Sequence, residues 1–166
     1  MKNILYLFLA LTSFEISAQT TAEEYMSSGA SKFYLDDMKG AIVDYSKAIK
    51  IDSNFVEAYR KRGLAKETLK DFSGAIVDYT KAIEIDSNYA LAFHDRGITK
   101  GKLKDFSGSI SDYTIAIEID PNYATAYFNR GVCKFYLGDM VGACNDASKA
   151  QELGDDASIL IKKVCN

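Results

Sequence analysis

From residue 21 onward the chain alternates apolar stripes with polar clusters in a constant rhythm. Within residues 72–85, Ile76, Tyr79 and Ile83 fall three and four positions apart, which places them on one face of a helix. Leu69-Lys70-Asp71 before it reads as a turn, and Asp71 is placed to cap the free N–H groups of the helix. Asp86-Ser87-Asn88 ends the segment with residue types that favour turns and the next N-cap. The stretch 55–88, FVEAYRKRGLAKETLKDFSGAIVDYTKAIEIDSN, returns at once as 89–122, YALAFHDRGITKGKLKDFSGSISDYTIAIEIDPN, with 20 of 34 positions identical and no gap. A third copy precedes them (21–54) and a fourth, altered near its end, follows (123–154), keeping Gly29, Gly63, Gly97 and Gly131 in register. The pattern predicts helix pairs at 22–35 with 38–51, 56–69 with 72–85, 90–103 with 106–119, and 124–137 with 140–153. Neither helix of a pair can bury its stripe alone, so neighbouring pairs must stack.

The period and its recurrent residues resemble the tetratricopeptide repeat (TPR) family over about residues 21–154. A large aromatic near the start of each copy is Tyr25, Tyr59, Phe93 or Tyr127, and the glycine follows four residues later. The small residue opening the second helix is Ala41, Ala75, Ser109 or Ala143; the late alanine is Ala48, Ala82, Ala116 or Ala150; the closing proline survives once, as Pro121. The resemblance implies an all-α, right-handed α-solenoid of four helix-turn-helix units occupying residues 19–154. Gly154 is a natural helix stop and Asp155-Asp156 a restart, so residues 155–166 are expected to form a capping helix with Ile159, Leu160 and Val164 on one side and Lys162-Lys163 on the other.

Ahead of the array, residues 1–18 carry one early lysine, an apolar run over 4–11 and small residues at Ser17-Ala18, the layout of a secretory signal peptide. The rival, a membrane anchor, meets an apolar core too short for roughly 30 Å of hydrocarbon. Cleavage after Ala18 leaves Gln19 first, with no membrane span in the mature chain and a periplasmic or secreted location. Thr20 and Thr21, each three residues before a glutamate, form a capping-box pattern for the first helix. The net charge of −3, with no Lys/Arg block, is a poor match for a nucleic-acid surface.

Export changes the reading of the cysteines. Cys144 stands where the other units have Ile42, Ile76 and Ile110, facing the next first helix, and after unit four that helix carries Cys165. In an antiparallel hairpin turning near Gly154 the two face each other, which predicts a Cys144–Cys165 disulfide; two buried thiols are the alternative. Cys133 takes a small-residue position and is expected as a buried, inert thiol. With no Cys-x-x-Cys pair and a single histidine, His94, neither a metal site nor a cofactor is expected.

No catalytic constellation stands out: no G-x-S-x-G, no Gly-rich phosphate loop, and carboxylates that recur with the repeat, so the chain reads as non-enzymatic. Asp37, Asp71, Asp105 and Asp139 read as caps, whereas Asp44, Asp78, Asp112 and Asp146 sit one residue before the second-helix aromatic or its replacement. Arg62, Arg96 and Arg130 stand where many TPR units carry leucine and are expected to pair with Asp78, Asp112 and Asp146; the alternative is an anion-binding ladder aimed at a ligand. Ser28 replaces the arginine in the first unit.

The TPR resemblance further implies a concave groove lined by the first helices. Carried over by position, it comprises Met26, Ala30, Phe33 and Tyr34; Arg60, Leu64 and Glu67; Leu91, His94, Ile98 and Lys102; and Phe128, Val132, Phe135 and Tyr136. Ten of the 14 differences between units two and three fall in the first helix. The central line Ala30, Leu64, Ile98, Val132 is apolar, unlike the asparagine line with adjacent lysines of TPR domains that clamp a peptide carboxylate. That line, flanked by aromatics, suits an extended or helical peptide segment, or else merely packs between helices. The resemblance therefore implies a non-catalytic interaction scaffold with a protein or peptide partner. A self-associating homo-oligomer, pairing through the face near residues 33–45, is the alternative.

Overall fold

The computed structural model describes residues 21–165, so the expected leader and Thr20 lie outside the described residues. The first helix, α1, covers 21–34. It is followed by α2 (Met38–Ile51), α3 (Val56–Thr68), α4 (Phe72–Ile85), α5 (Ala90–Lys102), α6 (Phe106–Ile119), α7 (Ala124–Tyr136), α8 (Met140–Glu152) and α9 (Ser158–Val164). There is no strand among the described residues. Each of α3, α5 and α7 packs on its own second helix and on the second helix of the preceding unit, giving an all-α solenoid.

Local chemistry sets the turns. Asp37, Asp71, Asp105 and Asp139 each accept a hydrogen bond from the backbone N–H three residues on, at 2.8–3.0 Å, and so cap α2, α4, α6 and α8. The residue just before each cap is left-handed: Asp36, Lys70 and Lys104 at φ 63–64°, and Gly138 at φ 83°. Only the fourth unit places a glycine where that conformation is free of steric cost. Between units the backbone N–H groups of Asn54, Asn88 and Asn122 donate to Asp52, Asp86 and Asp120 at 2.9–3.0 Å, closing the expected turns. The asparagines are not the next N-caps, however. Phe55, Tyr89 and Tyr123 occupy those positions and make no side-chain capping bond, because the following helix starts one residue later than the turn chemistry suggests.

The core is built from small residues facing large ones. Ala41, Ala48, Ala75, Ala82, Ala116, Ala143 and Ala150 are fully buried, and Tyr45, Tyr79 and Tyr113 fill the space between helices of a pair. Their rings lie over Gly29, Gly63 and Gly97, where a Cβ would stand 2.6–2.8 Å from a ring carbon. In unit four Ala147 replaces the tyrosine, and the nearest atom to a Cβ on Gly131 is 3.2 Å away. The chain then turns at Gly154 (φ 95°) and α9 returns along α8, with Ala157, Leu160 and Val164 buried against Ala143, Ala147 and Ala150. Ile159 is 74% exposed, contrary to the expected stripe. The hairpin sets positions 157, 160, 161 and 164 toward α8, and residue 159 falls roughly 100° around the helix from residue 160.

Candidate interaction groove

The recurrent charges form a spine inside the stack. Arg62 Nε and Nη2 donate to Asp78 Oδ2 and Oδ1 at 2.9 and 2.6 Å. Arg96 does the same to Asp112 at 3.0 and 2.8 Å, and Arg130 to Asp146 at 2.9 and 2.8 Å. The third corner of each guanidinium crosses the unit boundary: Nη1 donates to Ser46, Thr80 and Thr114 hydroxyls at 3.0–3.1 Å. Each fork therefore ties its own helix pair together and ties that pair to the one before. The Asp146 hydrogen bonds, working against burial, push the Arg130 pKa up. With their donors engaged in this way, the arginines are not an anion ladder.

A lysine that sequence reasoning passed over completes the spine. Lys32, Lys66, Lys100 and Lys134 share one repeat position, and their Nζ atoms lie 2.5–2.8 Å from Asp44, Asp78, Asp112 and Asp146. In the first unit, Ser28 Oγ donates to Asp44 at 2.7 Å in place of an arginine. Burial there works to raise the Asp44 pKa, but the Lys32 and Ser28 hydrogen bonds outweigh it and hold the carboxyl below its ordinary range. The signal was present in the sequence as a strictly recurrent lysine four residues after the arginine.

On the first helices, the polar positions expected in the groove are largely turned on one another. Arg60 Nε donates to Asp95 at 2.7 Å and its Nη1 to Glu57 at 3.2 Å. The Tyr89 hydroxyl donates to Glu57, and the Lys102 ammonium and Thr99 hydroxyl both reach Glu67, which also accepts from Tyr79 at 3.3 Å. His94 is 8% exposed. Its Nε2 lies 3.2 Å from Asn129 Nδ2, and its ring packs on Tyr123 at a centroid distance of 4.7 Å. Burial and neighbouring charge push the Tyr79 and Tyr89 hydroxyls far above their ordinary pKa, so they act as neutral donors. Asp95, Asn129, Thr99, Tyr89 and Glu57 were missed because the pairs they make do not recur from unit to unit. Their partners lie 32–35 residues away, on the neighbouring first helix or at its N-cap.

The apolar positions do remain open. Ala30, Phe33, Tyr34 and Leu64 line a cleft of about 90 Å³ with Tyr45 and Lys61. Ile98, Lys102, Val132 and Tyr136 line a second of about 260 Å³, with Phe106 and Cys133 in its wall. Phe128, Val132, Phe135 and Tyr136 line a third of about 250 Å³, closed on its far side by Ile159, Leu160 and Lys163 of α9. The last two share Val132 and Tyr136 and so adjoin. Phe106 stacks on Tyr136 at 4.9 Å and holds that ring at the junction. Tyr34 and Leu91 are exposed on the rim, and Met26 packs into the core around Tyr45.

Cys144 and Cys165 are joined by a disulfide with a Cα–Cα distance of 5.1 Å, α9 lying against α8. Cys133 is buried with its Sγ 3.4 Å from Ser109 Oγ, and burial pushes its thiol pKa up. Among the described residues, no three His, Cys, Asp or Glu side chains cluster as metal ligands would, and no helix is long and apolar enough to cross a membrane.

Two family profiles match the chain, one described as TPR repeat over residues 29–70 and one as tetratricopeptide repeat over residues 56–89. A crystal structure of MamA superposes at a TM-score of 0.76 with 24% identity, over 80% of this chain and 77% of that one. A second, of MamA protein, gives 0.75 with 27% identity over 80% and 73%. The first TPR of Spaghetti (RPAP3) bound to HSP90 peptide SRMEEVD gives 0.70 with 23% identity over 72% and 95%. No curated protein sequence matches the chain. Helix pairs repeating every 34 residues, together with these matches, place the chain in the tetratricopeptide repeat family.

Proposed function

We propose that the protein is a non-catalytic interaction scaffold, exported from the cytoplasm by its residues 1–18, that holds an apolar peptide segment in the concave groove at the α5–α7–α9 end. The adjoining clefts of about 260 and 250 Å³ around Val132 and Tyr136 carry this reading. Toward α3 the polar groups of the first helices already satisfy one another, so a ligand there would have to break Arg60–Asp95, and Lys102 in the lining of the larger cleft is already held by Glu67. At the α5–α7–α9 end the open surface is mainly aromatic and aliphatic, with Lys102 and Lys163 among its lining, and covering it removes apolar area from water at about 25 cal/mol per Å². The HSP90 peptide SRMEEVD on the RPAP3 repeat is acidic, and the apolar line Ala30, Leu64, Ile98, Val132 offers no counterpart for such a tail. The Cys144–Cys165 bond is in keeping with an oxidising compartment.

Peptides selected from a displayed random library against the mature protein test the site. Fluorescence anisotropy should show apolar or aromatic peptides binding, with affinity falling at least about tenfold on Val132→Lys, and no binding of SRMEEVD. Equal binding by the folded Val132→Lys protein would remove the groove from the account.

A further inference from the structure

We propose that the Cys144–Cys165 disulfide is a redox latch on this groove: its reduction by a dithiol releases α9 and takes away one wall of the α7–α9 cleft. The inference rests on the groove proposed above as the binding site. Four observations carry it. The bond can be reached, since Cys165 is exposed and Cys144 half-buried. The helix it secures has only seven residues, too few to hold its shape alone in water. That helix docks mainly on α8, through the buried Ala157, Leu160 and Val164, with a smaller contact to α7 through Leu160 and Lys163, and its N-cap residue Ala157 has no capping side chain. The loop leading into it also opposes docking: Asp155 Oδ2 is buried with no hydrogen-bond partner, a cost the undocked loop would relieve by hydration.

The consequence for the groove follows from which residues α9 contributes. Ile159, Leu160 and Lys163 face Phe128, Val132 and Phe135 across the cleft, and Lys163 lies over the Phe135 ring at 5.8 Å. With α9 gone, the cleft loses that wall and becomes a flat face of α7 and α8. In the exchange, one thiolate of the dithiol attacks the exposed Cys165 sulfur, and Cys144 leaves as a thiolate that takes up a proton. The second thiol then attacks the mixed disulfide, freeing Cys165 as a thiol while the reductant closes to its own disulfide. Two electrons and two protons pass to the protein.

Hydrogen–deuterium exchange of the full mature chain, oxidised and after dithiothreitol, tests the latch without any ligand, so it can fail independently of the binding site. Amides of residues 158–165 should exchange on the order of 100-fold faster once reduced, as loss of a loop-closing bond predicts. Amides of α3–α6 should be unchanged, and a Cys144→Ser/Cys165→Ser chain kept under oxidising conditions should match the reduced profile. Unchanged protection at 158–165 would overturn the latch, and so would acceleration across the whole chain, which would make the bond a global staple. Alkylation of Cys144 and Cys165 in the unreduced, denatured protein would overturn it as well.

Discussion

Replacing Arg62 with alanine should lower the unfolding free energy by about 3 kcal/mol, the low end of the cost of breaking a buried ion pair. The Asp78 side chain is 2% exposed, and Arg62 supplies two of its hydrogen bonds. Lys66 remains at 2.7 Å and keeps some compensation, which sets the figure at that lower end. The variant also loses the Nη1 bond to Ser46, so the boundary between the first two units weakens together with the second unit itself. Arg62→Lys retains the charge but not the planar fork, and should fall between alanine and the parent. Urea unfolding followed by circular dichroism measures all three. A midpoint unchanged in Arg62→Ala would mean that the spine contributes nothing to stability.

Gly63→Ala should cost about 2 kcal/mol or more, whereas Gly131→Ala should fall within about 1 kcal/mol of the parent. The two glycines are equivalent in the repeat. At Gly63 a new Cβ would stand 2.6 Å from Tyr79 Cε1, and Tyr79 is fully buried and cannot swing away. At Gly131 the nearest atoms are Asp146 Cβ at 3.2 Å and the Ala143 carbonyl and Leu160 Cδ2 at 3.3 Å. A shift of a few tenths of an ångström relieves those contacts, and the gain of about 1 kcal/mol from replacing a helical glycine offsets the strain. Thermal unfolding of both variants side by side checks the contrast. Equal losses would show that the tyrosine-for-alanine exchange at position 147 does not govern how closely the pair packs.

What could be read from the sequence divides along the repeat. Features that recur along the array were legible: the helix pairs, the aspartate caps, and, in three of the four units, the pairing of Arg62, Arg96 and Arg130 with the aspartate 16 residues on. The disulfide was also open to inference, because Cys144 and Cys165 each break a pattern at facing positions. Features made by a single unit against its neighbour were not legible. Arg60 with Asp95 and His94 with Asn129 depend on the rotation between adjacent first helices, which a periodic pattern does not encode. For the same reason His94 and Glu67 were expected to line the groove yet are spent on neighbours, whereas Phe128, Val132, Phe135 and Tyr136 line an open cleft. The face that α9 presents was also hidden, since seven residues are too few for a stripe to separate Ile159 from Ile161.

Crosslinking with mass spectrometry on the mature protein in its own compartment tests the central claim most directly, using a photoreactive residue at Tyr136 and another at Val77, which lies on α4 outside the groove. The account predicts a discrete partner captured from position 136, absent from position 77, and lost when Ile98→Lys is introduced into a still-folded chain. Capture that is equal at both positions, that survives Ile98→Lys, or that yields only a second copy of this chain would contradict it.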